Sequence, residues 1–290
     1  MSQSPQINVR KAQLDDVLGI REICRNIWGT DDYVVRAVPR WIRSNRNCLP
    51  IVSIADDSMV VGIANIRVSG SQGWLEGARV HPEFQNIGIS HRMMIFLFES
   101  PLGIGRRFFR LTTGLDNFPV HAILNDFGFK CSFTMTYLRI QISSDSVSKV
   151  QIKPIFPTMN HFGPVLSSLT FGHCIPAATY VYPGEDKPLK QFLSTNRFWG
   201  FDNLSIVEEV ENPQQSSDRK YFSFPFEYEF SGSSAHLFIR VLMTFGKRKG
   251  VKEIVCCLTD VASSSLFDHF PDLKDNSYRL GYYEREVTRT

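Results

Sequence analysis

Residues 81 to 94 read HPEFQNIGISHRMM, placing Gln85, Gly88 and Ser90 in a Gln-x-x-Gly-x-Ser spacing between a strand-like run and a helical one. N–H groups at the start of a helix have no partner within it and carry partial positive charge, so such a junction can hold an anion. Gly88 removes the side chain that would keep backbone away from a phosphate. Ser90 adds a hydroxyl, and Gln85 can cap or hydrogen-bond without adding charge. Taken alone, the spacing equally describes a glycine turn that caps a helix. The surrounding chain has to decide.

Other chemistries find less in the chain. The seven histidines form no ligand set, with His81 before a proline at a strand end and His121 on a helix, so no metal is expected. The six cysteines contain no C-x-x-C pair, and Cys256-Cys257 lies in EIVCCLTD, which reads as a buried strand holding reduced thiols. No Gly-x-Ser-x-Gly elbow occurs, and Gly103-x-Gly105 runs into Phe108 rather than a third glycine, against hydrolase and dinucleotide chemistry. The net charge is +3, and the densest basic cluster, Lys247-Arg248-Lys249, follows a helical pattern whose C-terminus it would complement. No nucleic-acid partner is expected. The first residues are polar, without a signal-peptide apolar segment, and no run of roughly 18 apolar residues occurs, so the protein is expected in the cytoplasm with no membrane partner.

The elements that must position the 81–94 junction follow from periodicity. Residues 7–12 suggest a strand and 14–28 a helix with Asp15 and Asp16 in its first turn. Residues 29–44 mix turn residues, aromatics and Pro39, predicting a loop that becomes a short helix, with Trp41 as a packing residue. Three strands are expected at 49–55, 59–69 and 73–82, a buried helix at 88–100, a strand at 106–114, a helix at 118–129 and a strand at 133–142. This order describes a mixed α/β layer. The polar stretch 143–153 is the best linker, dividing the chain into domains at 1–143 and 154–290. Helix and strand patterns alternate again over 236–287, and Thr113 and Thr259, Tyr137 and Tyr283, and Arg139 and Arg285 are each 146 residues apart. A period of half the chain suggests a duplicated α/β unit. The second copy reads FEYEFSGSSAH at 226–236, without the Gln-x-x-Gly spacing, and is expected to be a structural partner rather than a second active site.

The run EGARVHPEFQNIGIS resembles motif A of the GCN5-related N-acetyltransferases (GNAT), in which a Val-x-Pro strand end leads into Gln/Arg-x-x-Gly-x-Gly/Ala. Ser90 stands where the family has Gly or Ala. The strand order over residues 7–142 is also the family's, so the resemblance covers about half the chain, followed by a degenerate GNAT-like half. The resemblance implies acetyl-CoA as co-substrate. Backbone amides of Gln85, Asn86, Ile87, Gly88, Ile89 and Ser90 would hold its pyrophosphate, and the strand at Ala78, Arg79 and Val80 would pair with its pantetheine arm, with Asn117 a further contact. IWGTDDYVVRAVPRWI and LEGARVHP are similar to the histidine N-acetyltransferase branch, which implies L-histidine as the acceptor.

Acetyl transfer to an amine needs a neutral amine, a carbonyl beside it and a proton acceptor. Glu76, on the strand just before the cofactor loop, is the first candidate base, where burial would favour proton uptake. The family's tyrosine proton donor on the last helix corresponds to Leu124, so either the thiolate leaves unaided, another residue such as Tyr137 or Ser132 serves, or activity is low. Asp31, Asp32 and Tyr33 occupy the family's acceptor loop: Asp32 is expected to orient an ammonium, Tyr33 to hydrogen-bond or stack, and Arg36 or Arg79 to clamp a carboxylate. The expected activity is acetyl-CoA-dependent N-acetylation of a small amine. The alternatives are acetylation of protein N-termini or lysines, and a non-catalytic protein that binds acyl-CoA.

Overall fold

The computed structural model describes residues 5–28, 32–44, 46–56, 58–143, 150–155, 174–177, 180–183, 196–201, 204–209, 217–224 and 228–287. Asp31 and most of the expected linker lie outside them. The chain forms two compact units, one of residues 1–111, 118–130 and 284–290, the other of residues 112–117 and 131–283.

In the first unit, β1 (Ile7–Lys11) leads through a 3-10 turn at Leu14–Asp16 into α1 (Val17–Trp28) and α2 (Tyr33–Arg43). The expected helix at 14–28 thus begins with a tighter turn, for which Asp16 is responsible. Its carboxylate accepts from the Gln13 N–H at 2.7 Å and from Arg10 at 2.7 and 2.8 Å. Burial opposes ionisation of Asp16, but the Arg10 and Gln13 hydrogen bonds outweigh it and hold the carboxyl below its usual range. The resulting stability is fully present above the unfolded carboxyl value, about pH 4, and is lost as pH falls through the lower folded value. Thermal melts between pH 2 and 6 should therefore show Asp16→Asn less stable than the parent near pH 6. The gap should narrow below about pH 4.

Strands β2 (Cys48–Ala55), β3 (Met59–Ser69) and β4 (Gln72–Val80) form an antiparallel meander beside β1. Helix α3 (Ile89–Glu99) carries the chain to β5 (Phe108–Gly114), which pairs in parallel with β4 over Gln72–Trp74 only. Helix α4 (Phe118–Asp126) follows, then β6 (Lys130–Gln141). Helices α1 and α2 cover one face of the sheet, where Ile20, Cys24, Val34, Val38, Trp41, Val52 and Ile63 share a core. Helix α3 lies on the other face, where a Cβ on Gly62 would meet Ile89 and Met93 at 3.2 Å.

The second unit contains β6 and the short strands β7 (Lys153–Ile155), β8 (Cys174–Ala177) and β9 (Tyr180–Pro183), then β10 (Arg197–Phe201), β11 (Leu204–Glu208) and β12 (Arg219–Phe224). After these come α5 (Gly232–Lys249), β13 (Glu253–Thr259), α6 (Asp260–His269) and β14 (Ser277–Glu286). The order β10-β11-β12-α5-β13-α6-β14 repeats β2-β3-β4-α3-β5-α4-β6, and the parallel β4–β5 pair recurs as β12–β13. Helix α5 starts in a Ser231/Ser234 capping box and ends at left-handed Gly250, with Lys247, Arg248 and Lys249 in its last turn as expected. Cys256 and Cys257 are fully buried on β13, and burial pushes both thiols up.

Candidate acyl-transfer site

Strand β4 does most of the positioning. Asn65 lies opposite Glu76 and Ile63 opposite Arg79, so two steps along β3 match three along β4. The extra residue is a bulge at Gly77, whose φ of +70° is left-handed. A Cβ there would sit 2.7 Å from the Trp41 ring, so glycine is required by both backbone and packing. In a regular strand residues 76 and 79 would face opposite sides. The bulge turns both toward α1 and α2, the face that also carries Asn65 and Arg67.

Glu76 is held there by β3. Asn65 Nδ2 donates to Oε1 at 2.9 Å and Arg67 to Oε2 at 3.2 Å, with the Glu76 side chain 6% exposed and that of Arg67 27% exposed. Tyr33, at the start of α2, faces the same cluster. Burial pushes its phenol up, and the Glu76 carboxylate adds to the effect. Cys48 on β2 responds likewise, raised by burial and then by Glu76. Neither Asn65 nor Arg67 was anticipated from the sequence. The signal was their alternation as polar residues in the otherwise apolar strand GIANIRVS.

Asp32 and Arg79 revise an expectation. Arg79 donates to both oxygens of Asp32, at 2.8 and 3.2 Å, and also to its neighbour's Ala78 carbonyl at 2.8 Å. Asp32 in turn caps α2 by accepting from the Val34 N–H at 3.0 Å, and its side chain is 1% exposed. The two residues, 47 positions apart, are thus an ion pair. Burial, then the Asp32 charge, pushes the nearby Cys24 thiol up to about 12. Arg36 lies on the exposed side of α2. Trp41 is the packing residue expected, edge-on to Tyr33 at 6.3 Å.

Beyond β4, Pro82–Phe84 form a 3-10 turn, and Gln85 donates from its amide to the Val80 carbonyl at 3.3 Å, tying the loop to the strand end. Asn86 and Gly88 then adopt left-handed φ values of 64° and 82°. No side chain caps α3, so the N–H groups of its first turn, Ile89 and Ser90 among them, point outward unpartnered by the helix. Ile89 is buried while Ile87 is exposed. A Cβ at Gly88 would meet nothing within 4 Å, so the space beside that residue is open. Uncapped N–H groups, left-handed backbone and open space together fit a phosphate. The pairing of β4 with β5 runs over Gln72–Trp74, and Ala78, Arg79 and Val80 lie beyond it on β4.

The other expected residues belong to other elements. Asn117, before α4, donates to the Thr113 hydroxyl at 2.9 Å within the second unit. Leu124 is buried on α4 and offers no proton. Tyr137 belongs to the second unit, packed 4.8 Å from Tyr278 and 6.1 Å from Tyr221, where burial holds its phenol protonated. Ser132 is an exposed residue of β6.

Residues 15–129 match the Acetyltransferase (GNAT) family. A GCN5-related N-acetyltransferase from Sphaerobacter thermophilus is similar over 98% of this chain and 96% of its own, with a TM-score of 0.61 at 10% identity. One from Kribbella flavida is similar over 98% of this chain and 71% of its own, with a TM-score of 0.50 at 13% identity. At such identities the likeness is one of fold, and it extends through both halves. No curated protein matches the chain.

Proposed function

We propose that this chain transfers the acetyl group of acetyl-CoA to the primary amine of a small acceptor, with L-histidine the leading candidate. One observation carries the reading: nine residues of β4 hold a buried carboxylate and a glycine bulge, and a short turn carries the strand end into an uncapped helix. The first-turn amides of α3 hold the pyrophosphate, and the free edge of β4 holds the pantetheine. The thioester then lies beside the bulge and Glu76. Glu76 takes a proton from the acceptor ammonium, and the freed lone pair attacks the acetyl carbon. The C–N bond forms and the C–S bond breaks with its electron pair on sulfur. The second proton of the nitrogen ends on that thiolate, and Glu76 returns its own to solvent. Leu124 gives no help to the leaving group, so departure rests on the intrinsic acidity of the thiol.

The deciding experiment is thiol release from acetyl-CoA by the purified protein with L-histidine, other amino acids or a short peptide as acceptor. Release with histidine alone supports the full reading. Release with the peptide alone would move the activity to protein acetylation, and coenzyme A binding without release from any acceptor would leave a binding protein. Gly88→Val tests the phosphate site. The left-handed φ penalises a Cβ by about 1–2 kcal/mol, and the side chain enters the space proposed for pyrophosphate. Calorimetric titration should show the Kd for coenzyme A raised at least about tenfold, or 1.4 kcal/mol. An unchanged Kd would remove the loop from the cofactor site.

A further inference from the structure

We propose that the last residues of the chain are a working part of the acetyl-transfer unit. Glu284 is a positioning residue that fixes β4 against β5 through Arg110 and Gln72. The inference goes beyond the acetyl-transfer reading, and its test does not need turnover.

Residues 284–290 belong to the first unit, together with β4 and the first half of β5. Three consecutive side chains dock there with the alternation of a strand. Glu284 accepts from Arg110 Nε, 174 positions away. Arg285 lies over the Phe98 ring of α3 at 4.8 Å. Glu286 accepts from two nitrogens of Arg107, each at 3.0 Å. The Val287 N–H then donates to the Arg107 carbonyl at 2.8 Å, so backbone as well as side chains hold the segment.

The two ion pairs differ in weight. Arg107 and Glu286 are 64% and 49% exposed, so water screens their attraction. The Arg110 side chain is 3% exposed, and Glu284 is the carboxylate that pairs with it. Removing one side of such a pair strands a charge away from water. Arg110 also donates to Gln72 Oε1 at 2.8 Å and stands opposite Trp74 in register. The pairing of β4 with β5 runs over Gln72–Trp74 and stops two residues before Glu76. Glu284 therefore neutralises the side chain that bridges the two strands where they meet. Without its charge the guanidinium turns toward water and gives up Gln72, and the strand that carries Glu76 loses that tie.

The test is amide hydrogen exchange on the full chain, on Glu284→Gln, and on Glu284→Leu combined with Arg110→Met. In Glu284→Gln the amides of residues 72–74 and 108–111 should exchange at least about tenfold faster than in the parent, while those of α1 and α2 keep their rates. The double variant puts apolar groups in place of the pair and should exchange more slowly than Glu284→Gln in both stretches. Faster exchange throughout the unit, or in neither stretch, would overturn the inference, as would a double variant as labile as the single one. Calorimetric titration adds a functional readout. The Kd for coenzyme A should rise at least about threefold in Glu284→Gln and move back toward the parent in the double variant. An unchanged Kd would deny Glu284 its positioning role. If the parent itself does not bind coenzyme A, the acetyl-transfer reading fails separately, and exchange alone decides.

Discussion

Glu76→Gln should lower kcat for acetyl transfer by about 10²–10⁴-fold, the range spanned by a positioned general base. The substitution keeps the shape of the side chain and the hydrogen bond to Asn65 or Arg67 but removes the ability to accept a proton from an ammonium. Binding of coenzyme A should be unaffected, because the proposed phosphate contacts are backbone groups at Asn86–Ser90, away from the Asn65–Glu76–Arg67 cluster. The loss should also shrink as the assay pH approaches the acceptor amine's own pKa, since solvent then supplies neutral amine without assistance. A structural defect would not be relieved in that way. A Glu76→Gln enzyme with kcat within about threefold of the parent would be far outside the range for a lost base. The carboxylate would then be only the counter-ion of Arg67.

The largest effect on stability is expected from Asp32→Ala. Asp32 caps α2 and neutralises Arg79, whose side chain is 16% exposed, so its removal leaves a largely buried guanidinium without its carboxylate. Breaking one side of a buried pair costs about 3–5 kcal/mol, and loss of an N-cap adds about 1 kcal/mol. At about 2–4 °C per kcal/mol for a chain of this size, Tm should fall on the order of 10 °C. Two further variants separate the contributions. Asp32→Asn keeps a capping side chain and should recover the smaller share. Asp32→Ala combined with Arg79→Met removes the stranded charge and should be more stable than Asp32→Ala alone. If Asp32→Ala melts with the parent, the pair contributes nothing to the fold.

These two residues also show where reading the chain reaches its limit. The elements of the first half and the last four of the second were legible because apolar spacing is local: α3, β5, α4 and β6 begin and end within a few residues of where periodicity places them, whereas β7 to β12 were not anticipated. So was the turn into α3, since a Gln-x-x-Gly step before a buried helix has a conformational reason that no distant residue alters. The repeat could be read as well, because matched residues 146 positions apart persist even where the second copy has lost its glycine turn. What could not be read was the pairing of charges. Asp32 and Arg79 were each plausible substrate ligands, and only the packing of α2 on β4 makes them partners. The same holds for Glu76, whose setting depends on Asn65 and Arg67 across the strand. A single added residue at Gly77 decides which face Glu76 and Arg79 share. Side-chain alternation has a period of two, so one bulge inverts every facing beyond it. The sequence by itself determined the elements of the first half and the glycine turn into α3. Strand register, a long-range property, decided which side chains make the site.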